Sequence, residues 1–171
     1  KSYLGANALV ATSMAFMRAY ASEEKQAVWE LLKGKKLPQP MFNILNGGKH
    51  AGGKLSIQEF MIVPQARKFA ERIRQGAEVF HALKSYLQAH HLSTGVGDEG
   101  GFAPYLKHNE AALQVIAKAI TLAGYRFGKD IKIALDPASS EFYNKNGTYT
   151  FDKKQISAQT LQTIYAKWIK R

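Results

Sequence analysis

The chain has 171 residues, a formal net charge of +11 and no cysteine. That length supports a single domain burying about 70% of its unfolded surface, and the absence of cysteine excludes a disulfide framework and any thiolate metal site. No apolar run is long enough to span a bilayer as a helix, and the lysines are spread along the chain without zinc spacing or an RNP-like aromatic motif, so the positive surplus reads as a solvated basic surface with a general leaning toward acidic partners rather than as a nucleic-acid module.

In chain order, Lys1, the stretch Leu4 to Met17 and Ala19-Tyr20-Ala21 loosely mimic a signal peptide. Asn7, Thr12 and Ser13 interrupt the run and Arg18 follows it, so a buried helix over Ala6 to Tyr20 is the better reading. The lack of an initiator Met suggests a segment of a longer protein. Glu23 to Leu32 reads as a helical continuation stopped by Gly34. Pro38 and Pro40 impose extended backbone before a short apolar strand, Met41 to Leu45. A glycine-rich loop, Asn46-Gly47-Gly48-Lys49-His50-Ala51-Gly52-Gly53, leads to a second strand over Ile57 to Val63, ended by Pro64.

Phe69, Ile73, Ala77, Phe80, Leu83 and Leu87 recur every three or four residues and predict one stripe of a long amphipathic helix. A second glycine loop follows, Val96-Gly97-Asp98-Glu99-Gly100-Gly101-Phe102-Ala103-Pro104. Asn109 is expected to cap a helix carrying Leu113, Ile116, Ile120 and Ala123 and closed by Gly124. Ile131 to Leu135 reads as a strand buried on both faces. Asn146-Gly147 signals a hairpin turn leading to Tyr149 and Phe151, and Ser157 is placed to cap a last helix with Leu161, Ile164, Tyr165 and Trp168. The pattern is α/β. At most three barrel strands can be read, and a complete eight-stranded barrel takes about 250 residues, so the expectation is an incomplete (β/α) barrel over residues 38–171, preceded by a helical segment over residues 1–37.

Five residues are candidates for chemistry. Asp136 closes an apolar strand, and the C-terminal ends of barrel strands carry active sites. A carboxylate there suits a hard cation such as magnesium, and an Asx turn ending the strand accounts for it equally well. Glu59 lies in a strand and, if that strand is regular, shares a face with Ile57, Met61 and Val63 while Gln58 faces the other way. A charge in such company is costly unless paired or bound, and a structural ion pair is the plainer reading. Asp98 and Glu99 sit between glycines, where a polar surface turn is the simplest account. Two carboxyls brought together share one proton, however, and the pair then serves as a general acid; Glu59 and Glu99 are candidates for such a pair. His50 suits phosphate binding or proton transfer, or is structural. Gly48 to Lys54 matches a phosphate-binding loop until Leu55, where Ser or Thr is required, and it runs into a strand instead of a helix.

These segments together resemble the enolase family. Asn46 to Gly53, Gln58 to Pro64, Val96 to Pro104 and Ile133-Ala134-Leu135-Asp136-Pro137-Ala138-Ser139-Ser140-Glu141-Phe142-Tyr143 carry the likeness, and Leu4-Gly5-Ala6-Asn7-Ala8, Pro38 to Gly48 and Gly76 to Lys84 extend it over nearly the whole chain. The resemblance implies a partial enolase-type TIM barrel opening strand-strand-helix-helix, then strand-helix. It implies a cytoplasmic, magnesium-dependent lyase of glycolysis that interconverts 2-phosphoglycerate and phosphoenolpyruvate, as a homodimer or higher oligomer. By the same resemblance Glu99 is the acid that helps the 3-hydroxyl leave, Glu59 is its partner, His50, Glu59 and Gln58 line the substrate pocket, and Asp136 is a magnesium ligand. The family's lysine base, its other metal carboxylates and its phosphate-binding residues fall later than any residue of this chain. Two readings follow: a segment of a catalytic enolase, or a non-catalytic enolase-like fragment acting as a basic binding or structural module.

Overall fold

The computed structural model describes residues 3–52 and 55–170. The chain divides into two compact units, Lys1–Pro38 and Gln39–Arg171.

In the first unit, helix α1 spans Gly5–Glu23 and α2 spans Val28–Leu31. Alanine, leucine and methionine favour α1 intrinsically. The expected continuous helix from Glu23 to Leu32 is instead broken: Lys25 adopts φ 52°, and its N–H and that of Gln26 fold back onto Ser22 and Ala21 carbonyls. The second helix restarts where the Ala27 N–H donates to Glu30 Oε2 at 2.7 Å. The expectation that α1 is buried is also corrected. Ala21 is its buried residue, while Val10, Met14, Phe16 and Tyr20 are exposed. Apolar composition set the expectation, but a helix is buried only where a partner face exists, and the four-residue α2 offers little.

The second unit holds a three-stranded sheet, β1 (Phe42–Asn46), β2 (Glu59–Pro64) and β3 (Ile131–Asp136), in that spatial order. Both pairings are antiparallel, so β1 and β3 run the same way. Helices α3 (Phe69–Ala89) and α4 (Asn109–Leu122) follow β2. A hairpin of β4 (Tyr149–Phe151) and β5 (Lys154–Ile156) then leads into α5 (Ala158–Ile169). Among the described residues the sheet does not close. The architecture is part of an α/β barrel.

One face of β2 is sealed and the other is not. Phe60, Ile62 and Pro64 are buried, and Val79, Leu83 and Leu87 of α3 and Ile116 and Ile120 of α4 complete that core. Glu59, Met61 and Val63 are only half-buried. Ile57 lies before the strand and is fully buried, so it is not one of the half-buried set that includes Glu59. The expectation that β3 is buried on both faces is corrected for the same reason: Ile131 is buried, Ile133 to Leu135 are half-covered and Lys132 is exposed.

The predicted stripe of α3 holds in its second half, where Phe80 packs on the core and Leu83 and Leu87 are buried, and is turned outward in its first half. Phe69, Ile73 and Ala77 are exposed, and the buried line runs through Gln75, Gly76, Val79, Leu83 and Leu87. Gly76 is the cause. A Cβ built there would lie 2.7 Å from the ring of Phe42, so the bare backbone seats that ring and draws its own face of the helix inward. The α4 cap also differs. His108 is the N-cap, its Nδ1 accepting from the Ala111 N–H at 3.1 Å, and Asn109 is the first helical residue with a buried side chain. Ser157 caps α5 as expected, accepting from the Thr160 N–H at 3.2 Å. Leu161 is buried, and Tyr165 and Trp168 pack around Phe151.

Candidate active site at the strand ends

Because β2 runs against both neighbours, its first residue meets their last residues. The register pairs Asn46 with Glu59 and Glu59 with Asp136. One amide and two carboxylates therefore stand in a row across one end of the sheet.

The acidic glycine loop reaches that row because it is stitched to the outer edge of β1. Phe102 bridges Leu45, its N–H donating to the Ile44 carbonyl at 3.0 Å and its carbonyl accepting from the Asn46 N–H at 2.8 Å. Val96 bridges Phe102 in turn, and the Gly97 N–H donates to the Gly101 carbonyl at 2.8 Å. The loop is thus a short tight turn held on the strand, with exposed Glu99 near its tip. Glu99 Oε2 accepts from Asn43 Nδ2 at 3.3 Å, and the Glu59 and Glu99 carboxyls are hydrogen-bonded to each other.

Burial pushes the Glu59 carboxyl above its ordinary range, the hydrogen bond to Glu99 and the charges of Glu99 and Asp136 push it further, and a hydrogen bond from Gln58 opposes them. A carboxyl set beside another negative charge holds its proton more tightly than one alone. A carboxyl raised in this way is suited to hold a proton and release it to a group placed above the strand ends.

Gln58 was expected on the opposite side from Glu59. Since β2 begins at Glu59, Gln58 escapes strand alternation and bonds to the Glu59 side chain. Asp136 is exposed at the end of β3, and its Oδ1 accepts from the Ala138 N–H at 3.1 Å in an Asx turn, with Ala138 at φ 45°. His50 belongs to the 3₁₀ turn Gly48–Ala51, and its side chain lies outside the described part of the molecule.

Sequence reasoning missed Asn43 and Asn46. Asn46 is fully buried, and both ends of its amide, with the Oδ1 of Asn43, have no hydrogen-bond partner among the described residues. Asparagine is disfavoured in strands, and two in a five-residue apolar strand were the available signal.

Among the described residues no three or more His, Asp or Glu side chains gather in a way that holds a metal ion. Asp136 offers one hard oxygen ligand, and a magnesium ion takes an octahedral shell. The donors described do not by themselves make a magnesium site.

A family model described as the enolase C-terminal TIM barrel domain matches residues 34–170. The chain is 47% identical over 180 residues to the enolase of Elusimicrobium minutum (strain Pei191), covering 100% of this chain and 42% of that protein. It is 49% identical over 176 residues to enolase 1 of Chlorobaculum tepidum, covering 99% of this chain and 41% of that protein. The chain thus spans about two-fifths of the length of these curated relatives.

Proposed function

Since the chain belongs to the enolase family, within its C-terminal barrel domain, we propose that it carries the acid side of a site that interconverts 2-phosphoglycerate with phosphoenolpyruvate and water. The observation that supports this reading is the hydrogen-bonded Glu59–Glu99 pair at the strand ends. In the dehydration direction the bond from C3 to its hydroxyl breaks, and that oxygen takes a proton from the pair and departs as water. Glu99, on the exposed loop, is the member that meets the hydroxyl. Glu59, half-buried and hydrogen-bonded to Gln58, holds the reserve proton. His50 and Gln58 belong to the substrate-binding wall. The carbon-bound proton is taken by a base outside this chain. In the complete protein Asp136 contributes one oxygen ligand toward magnesium, with the others supplied by later residues. The reaction belongs to glycolysis in the cytoplasm, and the complete protein works as a homodimer or larger assembly.

The test is Glu99→Gln in an active enolase carrying this segment. Turnover is expected to fall by roughly 100- to 10,000-fold, the usual contribution of general acid–base catalysis, with a much smaller change in substrate affinity. Exchange of the carbon-bound proton with solvent persists, because the base lies elsewhere. Loss of exchange together with dehydration would assign Glu99 a different role.

A further inference from the structure

Asn43 and Asn46 are three residues apart, which in a regular strand places side chains on opposite faces. The β1–β2 register shows why they are not. Asn43 pairs with Met61 and Asn46 with Glu59, and the pairing slips by one residue between Asn43 and Leu45. Met61 and Glu59 are two apart and share a face. The bulge therefore delivers both asparagines to the face that carries Glu59, the kind of redirection for which bulges are retained beside active sites.

The loop bearing Glu99 is fitted to those two amides. A Cβ at Gly101 would lie 2.4 Å from Asn46 Oδ1 and 3.1 Å from Asn43 Oδ1, so the backbone at Gly101 rests directly on them. From the same place Asn43 Nδ2 donates to Glu99 Oε2 at 3.3 Å. Apolar residues would fill this part of the strand without leaving buried amide groups unmatched, and an unmatched buried amide is destabilising. Unsatisfied polar atoms of this kind call for a functional explanation.

We infer that Asn43 is a positioning residue for the acid pair: carried onto the carboxylate face by the bulge in β1, its amide holds the Glu99 carboxylate on its loop in contact with Glu59. Asn43 touches neither substrate nor reacting atom; it acts through Glu99. The inference rests on the reading of Glu59 and Glu99 given above.

Two variants separate this role from simple packing. Asn43→Ala removes the amide and leaves a gap. Asn43→Asp keeps the shape but replaces the donor with a charge that repels Glu99. In an active enolase carrying this segment, Asn43→Ala is expected to lower kcat about tenfold or more with KM changed less than about twofold, since a hydrogen bond to a charged group is worth that much. Asn43→Asp is expected to be worse than Asn43→Ala, and both effects shrink to within about threefold when introduced beside Glu99→Gln. A packing role predicts the opposite order, with the isosteric Asp variant the milder, and effects that multiply with Glu99→Gln; either result would overturn the assignment. Crystal structures of the variants give a readout independent of turnover. In Asn43→Ala the Glu99 carboxylate should leave Glu59, and a carboxylate that stays in place defeats the proposal even if turnover falls. If Glu99→Gln alone leaves turnover intact while the carboxylate still moves in Asn43→Ala, the positioning stands and the acid role of Glu99 is what fails.

Discussion

At the scale of single residues, the decisive feature is a carboxyl whose proton is held more tightly in the folded state than in the unfolded chain. The Glu59 carboxyl is raised above 4.5 by burial and by Glu99 and Asp136. A raised carboxyl favours folding fully below its unfolded pKa, and that contribution is lost as pH rises through the folded value. Ionising Glu59 as pH rises through that value therefore costs stability. Glu59→Gln removes that ionisation and is expected to raise the unfolding temperature at pH values above the raised Glu59 pKa. The gain should vanish well below pH 4.5 and grow as pH climbs above it. Thermal unfolding of both proteins across a pH series checks this, and a gain largest in acid would contradict the shift. Glu59, Glu99 and Asp136 could be singled out in the sequence because each stands where the pattern changes, at a strand end or between glycines. Their meeting was not legible. It depends on backbone hydrogen bonds between the Phe102 segment and β1, and backbone bonds leave no side-chain signature. Asn43 was missed because its face depends on a bulge that no residue type announces.

At the scale of elements, the start of β2 is set by a clasp between parts of the chain distant in sequence. Buried Asn109 accepts from the Ile57 N–H at 3.0 Å and donates through Nδ2 to Asp152 Oδ1 at 2.6 Å. The Asn109 N–H donates to the same oxygen at 2.9 Å, and the Asp152 N–H donates to Ser56 Oγ at 3.0 Å. The first turn of α4, the β4–β5 turn and the residues leading to Gln58 and Glu59 are thereby tied together. Asn109→Ala orphans the Ile57 N–H and removes a donor from Asp152. The expected loss is about 2–4 kcal/mol of stability, measured by denaturant unfolding; a loss below about 0.5 kcal/mol would mean that the clasp is dispensable. Asparagine before an apolar periodic run reads as a helix cap, and here the cap belongs to His108 while Asn109 serves this tertiary role. The order of strands and helices was readable because period and turn residues are local. The face of α3 was not, because Phe42 seated on Gly76 is a tertiary contact. The turn between β4 and β5 was invisible for another reason: Asp152 and Lys153 take φ 47° and 66° without glycine.

At the scale of the molecule, the described chain leaves apolar surface without a partner of its own. β2 is the one strand that β3 pairs with, and beyond the single bridge of Phe127 to Ile131 its other edge is open among the described residues. Beside it Leu113, Ile133, Leu135, Tyr165, Trp168 and Ile169 line a groove of about 630 Å³. The buried Tyr165 hydroxyl has no hydrogen-bond partner among the described residues, and burial, then the charge of Tyr149, push its pKa up to about 12. An open strand edge and an apolar groove together favour association. The isolated chain is expected to self-associate in sedimentation over a concentration series, and a monodisperse monomer with a sharp cooperative thermal transition would contradict this. The sheet belongs to a barrel that the described residues begin and do not close, and the proposal to be tested is that the carboxylate row is the acid side of a site completed by other residues. The most direct measurement is a coupled absorbance assay for phosphoenolpyruvate formation from 2-phosphoglycerate by the purified 171-residue chain with magnesium present. The account predicts no turnover above background; robust turnover that disappears in Glu99→Gln would show that these residues build a complete site and would contradict it.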